Sequence, residues 1–361
     1  MSSLLTLRTL LTKNHLDAAL LSSNVTIKYL TGYYGFSSIE RDAYLLVTQK
    51  DSFLFTSPLY AHEVRTNNSD LTVIERNVKN PFLQQFAKII KSEGIKTVGI
   101  EDNDLVVSEY EQITQSTSIA LYPLSLRALR IKKSDDEISK IKKACEIGDT
   151  AYEKIQQLIK SGITEIEVAL ELEIIIKRLG ASLSFPTIVA FGKNTAVPHH
   201  HSDETPLRKN DIILIDFGVM YKNYCSDMTR TFFIGKPIEK QKSVYQIVLN
   251  SQQKAVDFLK NTLYKIPNTG VKASAVDKIA REFITFKDYP SIPHSLGHGI
   301  GLEVHEAPSL SPNSTENLNE GMVFSIEPGI YLPDEFGVRI EDLYAIENGS
   351  LIQLTQAKSS L

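Results

Sequence analysis

Short apolar runs, bounded by polar turns and alternating with stretches of helical period, fill the first third of the chain. The runs predict strands over 18–21, 43–48, 52–56, 71–75, 97–101 and 119–123, and the 3.6-residue pattern predicts helices over 80–92 and 104–115. At the N-terminus Leu4, Leu5, Leu7, Leu10 and Leu11 are broken by Arg8 and followed by Lys13. An export signal needs an unbroken apolar stretch of about 7–15 residues, so this segment reads as an amphipathic helix. Strands alternating with helices point to a small α/β domain with a mixed or parallel sheet.

The basic stretch 126–133 then leads into Ser134, with Glu137 three residues on. That pair is a capping box, in which each side chain satisfies an unpaired amide of a helix start, and it predicts a long helix running towards 161. Thr164 and Glu167 form a second box, opening a helix that should stop at Gly180. A boundary is therefore expected here, giving domains 1–128 and 129–361. Beyond Ser184 strands are expected at 186–191, 211–217, 229–234, 323–327, 330–332 and 337–346, with helices at 240–261 and 273–285. Paired helices and runs of strands make this half α+β. A faint duplication links Asp216-Phe217-Gly218 with Tyr221 to Glu327-Pro328-Gly329 with Tyr331. A pseudo-twofold fold would set those two strands side by side.

Composition changes this picture little. The 361 residues suit two domains, and 42% hydrophobic with 23% charged residues is an ordinary globular balance. A net charge of −4 without a long Lys/Arg tract argues against a nucleic-acid partner. No stretch approaches the roughly 20 apolar residues of a membrane span. Cys145 and Cys225 are too few for a disulfide framework, which fits a cytoplasmic location. Cys225 reads as a small buried hydrophobe.

The chemistry concentrates in the second half. Six of the eight histidines fall at 199, 200, 201, 294, 298 and 305. Asp216, Glu327 and Glu341 each interrupt an apolar strand pattern, with Asp227 nearby in CSDMTRT. A buried acid costs several kcal/mol unless a counter-charge or metal compensates it. Four carboxylates and one imidazole form a hard, oxygen-rich set able to hold two divalent ions, Mn first, with Co, Zn or Fe as alternatives. Competing motifs are absent. His305-Glu306 is followed by Ala307-Pro308-Ser309 rather than completing HExxH, and neither GxSxG nor a Walker loop occurs. Glycines 297, 299 and 301 read as positions where backbone approaches closely.

These segments resemble the pita-bread metallopeptidases, the family of methionine aminopeptidase, aminopeptidase P and prolidase. The resemblance rests on PHHHSDETPLRKNDIILIDFG, DMTRTFFIG, HSLGHGIGLEVHEAP, FSIEPGIY and GVRIEDL, in that order. It covers nearly the whole chain and implies a creatinase-like α/β domain followed by a pita-bread catalytic domain. Carried over residue by residue, it implies metal ligands at Asp216, Asp227, His298, Glu327 and Glu341, with Asp227 and Glu341 bridging. Glu327 would handle the proton of the attacking water, and His305 would donate to the developing oxyanion. His199 and His294 would hold substrate, and Arg339 would orient the ligands. His200 and His201 are expected in an exposed loop. Small peptides are the implied substrates and a homodimer the implied assembly.

One departure bears on substrate. Archaeal-type prolidases of the family tend to carry Arg at the position of Ser309, where it helps hold a dipeptide's carboxylate. Without it, a Xaa-Pro aminopeptidase acting on longer peptides is expected ahead of a Xaa-Pro dipeptidase. A non-catalytic binding module of the same fold, or a metal-free amidinohydrolase like creatinase, is the remaining alternative, set against the five intact ligand types.

Overall fold

In a computed structural model that describes residues 3–37, 39–68, 70–265 and 269–358, the chain forms two compact units, Met1–Leu129 and Arg130–Leu361. The first is built on a six-stranded mixed sheet in the order Thr72–Glu75, Ser52–Thr56, Ala43–Thr48, Ala18–Leu21, Thr97–Ile100, Ala120–Pro123. Ala18–Leu21 runs antiparallel to one neighbour and parallel to the other. It reads AALL with no alternation because both faces are covered. Ala19 and Leu21 meet Leu7, Leu11 and Ile27 from helices on one side. Ala18 and Leu20 join Phe86, Ile90 and Ile113 on the other.

Two helices of this unit, Asn24–Thr31 and Pro58–Asn67, were not expected from the pattern. Their signals are local: Ser23 Oγ accepts from the Thr26 amide and Gly32 closes the first helix at φ 67°.

The second unit is α+β. Both expected capping boxes form, at Ser134/Glu137 opening Asp135–Gln156 and at Thr164/Glu167 opening Glu165–Arg178. These helices cover an antiparallel sheet of Ile188–Phe191, Ile212–Phe217 and Met228–Phe233. Helices Glu239–Lys265 and Ala273–Thr285 cover a five-stranded sheet, Glu306–Leu310, Gly297–Gly299, Val323–Ile326, Asp342–Glu347, Ser350–Gln353. No described helix is long and apolar enough to cross a membrane.

Two expectations need correction. The run 337–346 is not one strand: Phe336–Arg339 pairs with Gly329–Leu332, whereas Asp342–Glu347 pairs with Val323–Ile326. The charges at Arg339 and Glu341 mark this change of partner, but inside an apolar run they read as site residues rather than as a strand end. At the break, the Glu341 amide donates to the Thr229 carbonyl instead of to a ladder. The duplicated strands carrying Asp216 and Glu327 are also not hydrogen-bonded neighbours, since they belong to different sheets.

Candidate metal centre

The two sheets deliver their acids to one cavity of about 870 Å³. Asp216 is near the end of Ile212–Phe217 and pairs in register with Thr229. The ten residues between Asp216 and Asp227 are consumed by a hairpin, Val219–Tyr221 with Tyr224–Cys225, that returns the chain beside its start. Asp227, two residues before Thr229, falls on the same face because side chains alternate along a strand. The other sheet supplies His298 from Gly297–Gly299 and Glu327 from the end of Val323–Ile326. Glu341 comes from the break described above.

His298 is fixed on three sides. Its amide donates to Ser325 Oγ, and Nδ1 lies 3.1 Å from the Gly299 carbonyl, which makes Nδ1 the protonated nitrogen. Nε2 is thereby left as an acceptor, 3.3 Å from Glu327 Oε1 and 3.7 Å from Asp227 Oδ2. The strand passes between two others so closely that a Cβ on Gly297 would meet the Ser325 carbonyl at 2.0 Å, and one on Gly299 the Ala307 carbonyl at 2.0 Å. Only glycine fits either place.

One cation faces the four acids. Arg339 donates to Asp216 Oδ2 at 2.5 Å, to Tyr331 OH at 2.6 Å, to Thr229 Oγ1 at 3.1 Å and to the Pro198 carbonyl. Thr229 Oγ1 in turn donates to Glu341 Oε2 at 2.7 Å. Three further oxygens, Asp216 Oδ1, Asp227 Oδ1 and Glu341 Oε1, are buried without a hydrogen-bond partner. Burial, and then repulsion from neighbouring acids, pushes Asp227 and Glu327 well above the carboxylate range and Glu341 up to about 8. Buried acceptors that no donor satisfies are where a cation belongs. Asp227, His298 and Glu341 place their ligand atoms within 4.8 Å of one another. The donor set therefore fits divalent ions.

The other expected residues line the same cavity. His294 holds the Ser295 carbonyl through Nδ1 and Tyr331 OH through Nε2, and burial lowers its pKa to about 4. His305 lies edge-on to His298, with ring centroids 4.3 Å apart, and burial lowers its pKa too. His199 and Ser309 also face the cavity. Cys225 is buried with its thiol pushed up to about 12, an inert hydrophobe.

His200 does not sit in an exposed loop as expected. Its ring is largely buried, with Nε2 2.6 Å from Glu165 Oε2, because the segment folds back onto a helix start. His201 is exposed. Sequence reasoning assigned no part to Tyr331, Thr229 or Arg230. Arg230 is fully buried and donates to the Glu341 and Ala357 carbonyls and to Asp342, fastening the C-terminal segment behind the site. An Arg within the strand MTRTFF was the available signal.

A carboxylate-rich cradle for divalent cations at the meeting of two antiparallel sheets defines a class of metallohydrolase, and the family comparison narrows it. The model for metallopeptidase family M24 matches residues 139–348, and that for the creatinase/prolidase N-terminal domain matches residues 4–131. The chain belongs to metallopeptidase family M24, with a creatinase-type N-terminal domain and a pita-bread catalytic domain. It is 38% identical to the Xaa-Pro dipeptidase of Pyrococcus horikoshii over 97% of this chain and 95% of that one. The solved structure of a Xaa-Pro dipeptidase from Bacillus anthracis superposes with TM-score 0.90 at 33% identity, covering 99% of this chain and 98% of that chain. An X-Pro aminopeptidase from Thermotoga maritima superposes with TM-score 0.84 at 34% identity, covering 96% and 97%.

Proposed function

We propose that this chain is a dinuclear-metal exopeptidase that cleaves the Xaa-Pro bond at the N-terminus of peptides, acting as an aminopeptidase. The observation that carries the metal reading is the set of three buried carboxylate oxygens without partners. Asp216, Asp227, His298, Glu327 and Glu341 would hold the ions, and the hard oxygen set favours manganese. Two bound ions supply a water of lowered pKa and a polarised carbonyl.

The chain's own residues do the rest. Glu327 takes the proton of the attacking water, then returns it to the prolyl nitrogen. His305, whose ring lies edge-on to His298 in the cavity, donates an N–H to the oxyanion as it forms. His294, held by Tyr331, and His199 grip the substrate. Arg339 keeps Asp216 aimed at its ion, a role that needs its five fixed donors.

The aminopeptidase reading rests on the surroundings of Ser309. Its amide donates to Glu316 Oε2 at 2.8 Å and its hydroxyl to Ser311. Ser309 brings no positive charge to a dipeptide's carboxylate, and Arg339, the one Lys or Arg among the described cavity residues, is already engaged with Asp216. The dipeptidase reading is favoured by the name of the Pyrococcus relative. Product analysis on Xaa-Pro and Xaa-Pro-Yaa with manganese-loaded protein separates them. The tripeptide should be cleaved at least as efficiently, and Ser309→Arg should raise dipeptide kcat/KM by about tenfold or more. Cleavage confined to dipeptides would reverse the choice and leave the metallopeptidase intact.

A further inference from the structure

Outside the metal centre, one buried carboxylate organises a wall of the cavity. Glu165 opens helix Glu165–Arg178 and is wholly buried. Oε1 accepts from the Phe191 amide at 2.7 Å and from Asn194 Nδ2 at 2.9 Å. Oε2 faces His200 Nε2 at 2.6 Å and accepts from the Asp203 amide at 3.1 Å. The two ends of segment 191–203 are thus tied to a single carboxylate. Because a carboxylate only accepts, His200 must carry its proton on Nε2 in this pair.

We propose that Glu165 is a positioning residue for the reaction: through His200 it fixes the 198–203 segment and so sets where His199 meets the substrate. This rests on the peptidase reading above. The segment reaches the chemistry at its other end, since the Pro198 carbonyl accepts from both terminal nitrogens of Arg339 at 3.3 Å, and Arg339 holds Asp216. His199 is the next residue along and faces the cavity. A displacement at His200 is therefore carried within one residue to a substrate contact, while Pro198 beyond it stays pinned by both terminal nitrogens of Arg339.

The same cluster does not make a second metal centre. Glu165, His200 and Asp203 bring ligand atoms within 4.8 Å of one another. Yet each Glu165 oxygen already faces two donors, and Asp203 Oδ1 accepts from the Thr205 amide at 2.7 Å. A group so fully engaged is a structural tie, and its chemistry explains why an amide would not replace it. The Glu165→Gln side chain would present an NH2 either to the Phe191 and Asn194 donors or to the Asp203 donor, leaving buried N–H groups facing each other.

The test compares Glu165→Gln, His200→Gln and His199→Ala, alone and combined, in manganese-loaded protein. Glu165→Gln should raise KM for an Xaa-Pro-Yaa peptide by about tenfold, the scale of one unsatisfied buried donor, while kcat and metal content change little. His200→Gln should raise KM in the same direction. In the His199→Ala background, Glu165→Gln should add less than about twofold, because coupled residues are not additive whereas a general loss of stability would be. Amide hydrogen exchange over 198–203 should quicken in Glu165→Gln and His200→Gln and stay unchanged elsewhere in the helix Glu165–Arg178. Multiplying effects with His199→Ala, or unchanged KM and exchange in Glu165→Gln, would overturn the proposal. If Glu165→Gln is insoluble, unchanged KM and exchange in His200→Gln overturn it alone. Wild-type protein inactive on all Xaa-Pro peptides would instead defeat the peptidase reading, leaving the exchange result to decide this one.

Discussion

Two carboxylates, one in each unit, are buried to nearly the same degree and differ in what their oxygens touch. Glu101 accepts from the Ser22 amide at 2.8 Å, the Ser23 amide at 2.9 Å and Thr26 Oγ1 at 2.6 Å. Glu341 accepts from Thr229 Oγ1 on one oxygen and has no partner on the other. Burial raises the pKa of both. Neither burial nor the direction of a pKa shift therefore separates a structural acid from a candidate ligand. Satisfaction does: Glu101 and Glu165 are surrounded by donors, and the acids of the second unit's cavity are short of them.

Substitution should turn that contrast into opposite phenotypes. The largest effect is expected at Asp227, where Asp227→Ala should abolish turnover and lower metal content measured by elemental analysis. Metal-free stability should hold, because one of several mutually repelling buried acids is gone. Glu101→Ala should do the reverse, costing about 1–3 kcal/mol in denaturant unfolding by stranding two amides and a hydroxyl, with metal and turnover retained. Full metal and turnover in Asp227→Ala, or loss of metal in Glu101→Ala, would break the comparison.

His305 sharpens it from the side of the catalytic groups. Its ring lies edge-on to the candidate ligand His298, with centroids 4.3 Å apart, and its proposed part is to donate to the oxyanion rather than to hold an ion. His305→Ala should lower kcat by about 10²-fold, the usual scale for an oxyanion donor, with metal content unchanged. Loss of metal from that variant would make His305 a ligand and redraw the division of roles.

How far these contrasts were legible in the sequence depends on the range of the interactions. Strands Ala18–Leu21, Ala43–Thr48 and Ser52–Thr56 stood out as apolar runs between turns because their burial is a local property of the residues. Helix Asn24–Thr31 did not, being eight residues long with its cap as the main signal. The break before Asp342 was missed because the charges at Arg339 and Glu341 read as site residues within one strand rather than as its end. Acids inside apolar strands were visible as anomalies, and family motifs supplied their proposed roles. Their supports were not: Thr229 and Glu341 are 112 residues apart, and Glu165 and His200 are 35 apart. No spacing rule spans such distances, so Thr229, Tyr331 and Glu165 read as ordinary strand and helix residues.

The central claim is that the unsatisfied acids of the second unit exist for divalent cations. Glu341 rises from an ordinary 4.5 to about 8, so its folded form holds a proton that the unfolded chain has lost. A raised acid contributes stability that is complete below the unfolded value and disappears as pH climbs through the folded one, so the metal-free protein should weaken from about pH 5 to pH 8. Bound metal must displace those protons. The most direct measurement is calorimetric titration of the metal-free protein with manganese near pH 7, repeated in buffers of different ionisation enthalpy. Saturable binding of two ions with net proton release is the predicted result. Absence of saturable binding, or binding with no proton release, would contradict the account.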